Sequence, residues 1–217
     1  MSLQVHSRNL SKNDLEDIAT STIGHYDDNA EGFWLGTKDH DVSQNREALL
    51  RNIKVEPPLS LLDLGCGPGR DLAAFKNMGH EPVGLDGSAR FCEMAAQTGC
   101  EILHQNMLEM QLPAGRYHGI FANASLFHVP TQELPGVLRK LHAALQPHGV
   151  LFVSNPRGNN QEGFGERDVR YGAYWDETQW REMVGHAGFE ELEHYYRPPG
   201  KPRNQQPWLA TVWRKQE

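Results

Sequence analysis

Three glycines on alternate positions, Gly65, Gly67 and Gly69, punctuate the segment Leu61-Leu62-Asp63-Leu64-Gly65-Cys66-Gly67-Pro68-Gly69-Arg70. An apolar run leads into them and an amphipathic stretch follows. Glycine lets such a loop turn abruptly and brings backbone amides against a ligand with no Cβ in the way. Amides that open the following helix are suited to a ligand carboxylate. A dinucleotide fingerprint needs G-x-G-x-x-G, whose third glycine would fall at position 70; Arg70 stands there, and the third glycine comes one residue early. Asp63, two residues before the first glycine, would repel a pyrophosphate and tolerate a cationic ligand group. A second carboxylate, Asp86 in Gly84-Leu85-Asp86-Gly87-Ser88, follows Gly65 by 21 residues, where an acid would grip a ribose diol.

These residues need a frame, and the pattern around them supplies one. From Leu59 onward short apolar runs alternate with amphipathic stretches. LSLLDL precedes a helix predicted from about Asp71 to Met78, and PVGLD precedes one from about Ala89 to Gln97. CEILHQ and YHGIFANA read as further strands. A helix through 132–145 then puts Leu134, Val137, Leu138, Leu141 and Leu145 on one face, and GVLFVSN reads as a buried strand. This cadence predicts an α/β protein with a parallel sheet covered on both faces. After Asn155 a Gly- and Asn-rich loop (PRGNNQEGFGERD) leads to a helix at about 177–187. ELEHYYR and PWLATVWR then read as a closing antiparallel pair at the sheet edge. Ahead of the core, residues 1–56 read as a helical cap. Ser11 caps a helix from Asp14 to Thr22, YDDNAEGFWLGTKDHD is a polar segment bearing aromatics, and Asp41 caps a second helix with Val42, Leu49, Leu50 and Ile53 on its apolar side. The expected organisation is one domain over 1–217, with the core in 57–217.

The segment from Leu61 to Arg70, with Asp86 in register behind it, resembles the first motif and ribose-binding acid of the class I S-adenosylmethionine-dependent methyltransferases. The resemblance covers roughly residues 59 to 214 and implies a Rossmann-like, doubly wound, mostly parallel seven-stranded sheet with a C-terminal antiparallel hairpin and an N-terminal helical cap. It implies S-adenosylmethionine as cofactor, lined by Asp63, Gly65, Cys66, Gly67 and Gly69, with Asp86, Gly87 and Ser88 at the ribose. Where many members carry an acid that contacts the adenine amino group, this chain has Asn106, followed by Met107, which can pack on the ring. FANASLFHV is similar to the fourth motif and puts Asn123 near the methionine end of the cofactor.

Residues after the fourth and fifth strands, together with the cap, are expected to surround the methyl acceptor, because open α/β sheets bind ligands at the carboxyl ends of their strands. His128 and His40 are the candidate general bases, since imidazole titrates near neutral pH. Tyr26, Trp34, Asn155, Arg157, Tyr171 and Tyr174 are candidate acceptor contacts; Tyr26 and Trp34 can face a sulfonium, and Arg157, Arg170 and Arg197 can hold a carboxylate. Trp175, Trp180, Trp208 and Trp213 read as packing residues. The Asp39-His40-Asp41 run lacks a second histidine at helical spacing, so no metal is expected.

Composition limits the partners. The 217 residues carry 21 basic and 28 acidic side chains, a formal charge of -7, which disfavours nucleic acid. The three cysteines, Cys66, Cys92 and Cys100, form no CxxC pair, which fits free thiols in a reducing compartment. With no signal-peptide core and no membrane-length apolar run, a cytoplasmic enzyme without membrane partners is expected. The reading that follows is methyl transfer to an O, N or S atom of a small molecule. A non-catalytic cofactor-binding protein and a methyltransferase of tRNA or protein remain as alternatives, and the oligomeric state is left open.

Overall fold

A computed structural model describes residues 9–165 and 169–217. Three helices come first: α1 (Lys12–Asp28), α2 (Ala30–Thr37) and α3 (Ser43–Asn52). The sheet-forming chain follows as β1 (Ser60–Leu64), α4 (Arg70–Asn77), β2 (Glu81–Asp86), α5 (Ala89–Ala96), β3 (Glu101–His104), β4 (Tyr117–Asn123), α6 (Leu134–Ala144) and β5 (Leu145–Pro156). A short pair, β6 (Gln161–Phe164) and β7 (Tyr171–Tyr174), precedes α7 (Glu177–His186), and β8 (Phe189–Arg197) with β9 (Trp208–Lys215) closes the chain.

Seven strands form one sheet in the order β3-β2-β1-β4-β5-β9-β8. The pairs among β1 to β5 are parallel, while β9 runs antiparallel to both β5 and β8. This is the Rossmann-like architecture with a terminal hairpin that the motif resemblance implies. The chain leaves β3 at one edge and returns to pair β4 with β1, so strand order reverses between β1 and β4. A crevice opens at such a reversal, outside the carboxyl ends of the strands. Asp63 of β1 lies opposite Phe121 of β4 in the register, which puts Gly65 and Asn123 side by side at that opening.

Burial explains why the strands read as unbroken apolar runs. Leu61, Leu62 and Leu64 of β1 are fully buried, as are Ile120, Phe121 and Ala122 of β4 and Leu151, Phe152 and Val153 of β5. Leu62, Leu64, Ile120, Leu151 and Val153 belong to the larger core, shared with Val137, Leu138 and Leu141 of α6 and Trp180 of α7. Leu61, Phe121 and Phe152 face the other way, against Phe75 of α4 and Ala48 and Leu49 of α3. Phe121 and Phe152 stack at 4.9 Å between ring centroids.

Four details depart from the sequence reading. Helix α1 runs to Asp28 rather than Thr22, and the aromatic segment after it is helical as α2; Ser11 does cap α1, in a capping box with Asp14. Helix α3 covers the sheet as well as bordering the site, with Ala48 and Leu49 wholly buried against the sheet and Asn45 on the cavity. Asp41 sits one residue outside the N-cap of α3, Val42, and accepts from the backbone N–H of Ser43 at 2.9 Å. The segment read as a loop after Asn155 contains the β6–β7 pair, with Phe164 opposite Tyr171. No helix among the described residues is long and apolar enough to cross a membrane.

Candidate active site

The glycine loop is held by its own backbone. Gly65 N–H and Cys66 N–H both donate to the Leu85 carbonyl at the end of β2, at 2.7 and 3.1 Å. Gly67 N–H donates to Asp86 Oδ2 at 2.9 Å, and Ser88 N–H donates to Asp86 Oδ1 at 2.9 Å. Asp86 thus ties the loop after β1 to the start of α5. Burial pushes its carboxyl above the usual range, and the backbone donors from Ser88, Gly67 and Gly87 oppose that push. Gly65 needs to be glycine on two counts. Its φ is +71°, and a Cβ would lie 2.5 Å from Ser125 Cβ and 2.9 Å from Met107 Cε.

The loop borders a cavity of about 880 Å³, within the size range of small-molecule sites. Asp63, Gly65, Cys66, Gly67, Asp86, Gly87, Asn106, Met107 and Asn123 all line it. Asp63 is buried, and its Oδ2 has no hydrogen-bond partner. Burial holds its carboxyl well above the ordinary range, the Asp71 charge adds to this, and Arg70 opposes it. Asp71 itself is clamped between two cations, Arg46 Nη1 at 2.6 Å and Arg70 Nη2 at 2.7 Å. Asn106 Oδ1 accepts from Leu108 N–H at 3.1 Å, so its amide oxygen is already engaged by the local turn. Asn123 Oδ1 accepts from Asn45 Nδ2 at 2.8 Å, and Asn45 Oδ1 in turn accepts from Arg197 Nη1 at 2.8 Å. Burial raises the Cys66 thiol far out of the nucleophilic range, so it serves as a small apolar wall.

Not every residue of the motif meets the cavity. Gly69 caps α4 with φ +94°, and a Cβ there would lie 3.0 Å from Ala95 Cα and from Thr98 Cγ2; it lets α4 approach α5. Ser88 is almost wholly buried. It accepts from Phe91 N–H as the cap of α5 and donates to Asp27 Oδ1 at 2.6 Å, so its hydroxyl is committed away from a ligand.

The other half of the cavity is walled by Tyr26, Trp34, His40, His128, Tyr171 and Tyr174, with Phe127 and Trp208 beside them. His128 sits in the short helical turn after β4, and both of its ring nitrogens have partners. Its Nδ1 lies 2.6 Å from the Tyr171 carbonyl, and its Nε2 lies 2.8 Å from the Tyr26 hydroxyl. Arg170 Nη1 donates to that same hydroxyl at 3.3 Å, and its guanidinium lies 5.6 Å from the centre of the Tyr26 ring. His40 is exposed at the cavity rim. Arg157 points elsewhere: it donates to the carbonyls of Arg203 and Gln206 and stacks over Tyr196, bracing the β8–β9 connection. Asn155 is buried in β5, off the cavity wall. Trp175 and Trp180 stack on each other in the core, with Trp213 buried nearby, whereas Trp208 reaches the cavity.

Sequence reasoning passed over Asn45, Asp71, Ser125 and Phe127, which all border the cavity. Phe127 is adjacent to the flagged His128, a usable hint. Asn45 is a buried polar residue on the same face of α3 as Ala48 and Leu49, and it carries no local signal of its own.

The family described as "Methyltransferase domain" matches residues 61–149. The trans-aconitate 2-methyltransferase of Paracidovorax citrulli (strain AAC00-1) is 30% identical over 144 residues, covering 64% of this chain and 53% of the relative. Its namesake from Azoarcus sp. (strain BH72) is 32% identical over 118 residues, covering 52% of this chain and 45% of the relative. The chain spans about half the length of the curated relatives it matches. Among solved structures, the 1,6-didemethyltoxoflavin-N1-methyltransferase of Burkholderia thailandensis, with 1,6-didemethyltoxoflavin and S-adenosylhomocysteine bound, superposes with a TM-score of 0.76 at 20% identity, covering 98% of this chain and 93% of that one. At that identity the likeness is one of fold.

Proposed function

We propose that this chain carries a class I S-adenosylmethionine-dependent methyltransferase domain and transfers a methyl group from S-adenosylmethionine to an O, N or S atom of a small molecule. One observation carries the reading: the cavity bordered by the glycine loop and Asp86 is also lined by residues of α1, α2 and β7, among them Tyr26, Trp34 and Tyr171. A protein that only bound the cofactor would not need that aromatic wall.

The residues fit the cofactor. The space beside Gly65 is one that a Cβ would close, Asp63 offers a buried oxygen without a partner, and the amide N–H of Gly67 lies beside the Asp86 carboxylate. Asp86 is the group to hold the ribose hydroxyls, Met107 to pack on the adenine, and Asp63 to face the amino-acid end. When bound, the cofactor supplies an electrophilic methyl on a sulfonium. The chain's own contribution is to orient the acceptor and exclude water, and in-line displacement draws much of its acceleration from such positioning. The formal charge of -7 supports a small acceptor over nucleic acid.

Calorimetry with S-adenosylmethionine and S-adenosylhomocysteine tests the first half of the reading. A screen of small metabolites for label transfer, with trans-aconitate among them because the curated relatives are named for it, tests the second. Binding of both nucleosides with turnover on a small acceptor is the expected result. Binding without turnover on any small molecule, or turnover confined to RNA or protein, overturns it.

A further inference from the structure

We infer that Tyr26 and His128 form a proton relay, and hence that the acceptor is a flat, conjugated molecule whose reacting O–H or N–H carries a proton at neutral pH. The inference rests on the methyl-transfer reading and narrows it.

The tautomer of His128 follows from its partners. A carbonyl oxygen only accepts, so with Tyr171 O at 2.6 Å the Nδ1 must carry the proton. In the neutral imidazole Nε2 is then the acceptor, and the Tyr26 hydroxyl at 2.8 Å donates to it. The Tyr26 oxygen in turn accepts from Arg170 Nη1 at 3.3 Å. The three groups form one directed chain, from Arg170 through Tyr26 to His128 and on to the Tyr171 carbonyl. Among the titratable and charged groups around His128 are Tyr26 from α1, Arg170 just before β7 and Tyr174 of β7, while Tyr171 offers its carbonyl and turns its hydroxyl to Glu162. Imidazole has a pKa suited to taking a proton near neutrality, and a base held in one tautomer is ready to do so.

The step balances. As the acceptor atom bonds to the methyl carbon, its own proton passes to the Tyr26 oxygen, and the Tyr26 proton passes to His128 Nε2. The electron pair of the broken methyl–sulfur bond stays with the departing sulfide, and the imidazolium later returns its proton to solvent. A carboxylate or thioether acceptor would need no such chain. The walls set the acceptor's shape. Phe127 lies beside His128 at 4.0 Å between ring centroids, and Tyr174 and Trp208 lie 6.2 and 6.3 Å from Phe127, all three on the cavity surface. Aromatic faces at these spacings favour a planar π-system.

The test begins with nitrogen-detected NMR of the histidines in the full chain without ligand. His128 is expected to carry its proton on Nδ1. Tyr26→Phe, which keeps the ring and removes the donor to Nε2, should raise the imidazole pKa by about 0.5–1 unit. The second measurement uses 4-nitrophenol, whose phenolate absorbs in the visible, added to protein saturated with S-adenosylhomocysteine. Bound 4-nitrophenol should ionise at a lower pH than in free solution. His128→Asn, which retains a side-chain N–H toward Tyr171, should bind it without that shift. An Nε2–H tautomer, an unmoved pKa in Tyr26→Phe, failure of the loaded protein to bind 4-nitrophenol, or an equal shift in His128→Asn would each overturn the relay. Failure to bind S-adenosylhomocysteine at all sinks the methyl-transfer reading instead, so the two failures are distinct.

Discussion

Replacing Asp86 by alanine should weaken S-adenosylhomocysteine binding by about 1–3 kcal/mol, or about 5–150-fold in Kd. The size follows from what the carboxylate does. Each of its oxygens already takes one backbone N–H, from Gly67 and from Ser88, both at 2.9 Å. Each retains capacity for one ribose hydroxyl, and a hydrogen bond to a charged group contributes about 1.5–3 kcal/mol. Alanine removes the ligand contacts and also frees Gly67 N–H, so the loop loses its tie to α5 and the protein should melt at a lower temperature. The two losses separate in Asp86→Asn. Its amide oxygen can still hold Ser88 N–H, but its NH₂ meets Gly67 N–H donor to donor, so binding should fall while the helix cap survives. Calorimetry on the wild type and both variants, beside thermal melts, reads the two effects independently. A folded Asp86→Ala protein with unchanged affinity would falsify the placement of the ribose.

Three further outcomes follow from the same geometry. Asp63→Asn should stabilise the ligand-free protein, increasingly so as pH rises. The folded carboxyl sits above its unfolded pKa, so between the two values the unfolded state has shed a proton that the folded state keeps, and stability declines with pH; asparagine has no proton to lose. Melts of both proteins at about pH 5 and about pH 8 check this, and a gap that does not widen with pH refutes it. Gly67→Val should abolish cofactor binding and lower stability through its left-handed backbone (φ +53°) alone, since a Cβ there has nothing nearer than Phe33 at 3.8 Å. Gly69→Val should lower stability further, because its backbone is also left-handed (φ +94°) and its Cβ would press on Ala95 and Thr98; melts that show the reverse order would contradict the assignment. Arg157→Ala should cost stability through the β8–β9 connection while leaving the affinities for cofactor and acceptor intact, and a selective rise in the acceptor KM would return it to the site.

The sequence by itself determined what depends on neighbours in the chain. The glycine spacing, the acid at the end of the second strand, the cap at Ser11 and the alternation of strand and helix are set within a few residues of one another, where periodicity and backbone sterics act. Contacts between distant segments decided the rest. Ser88 and Gly69 belong to the same motif as Gly67, yet Asp27 of α1 claims one and the α5 backbone leaves room for nothing but glycine at the other. Tyr26 and His128 are 102 residues apart and meet only because α1 packs against α5 and β7. The β6–β7 pair looked like a loop because its strands are short and glycine-bearing, and the Tyr171 carbonyl that orients His128 carries no sequence signal, being a backbone atom. Local rules therefore located the glycine loop and Asp86 at one end of the cavity, while its aromatic end was assembled by tertiary packing, which no local pattern encodes.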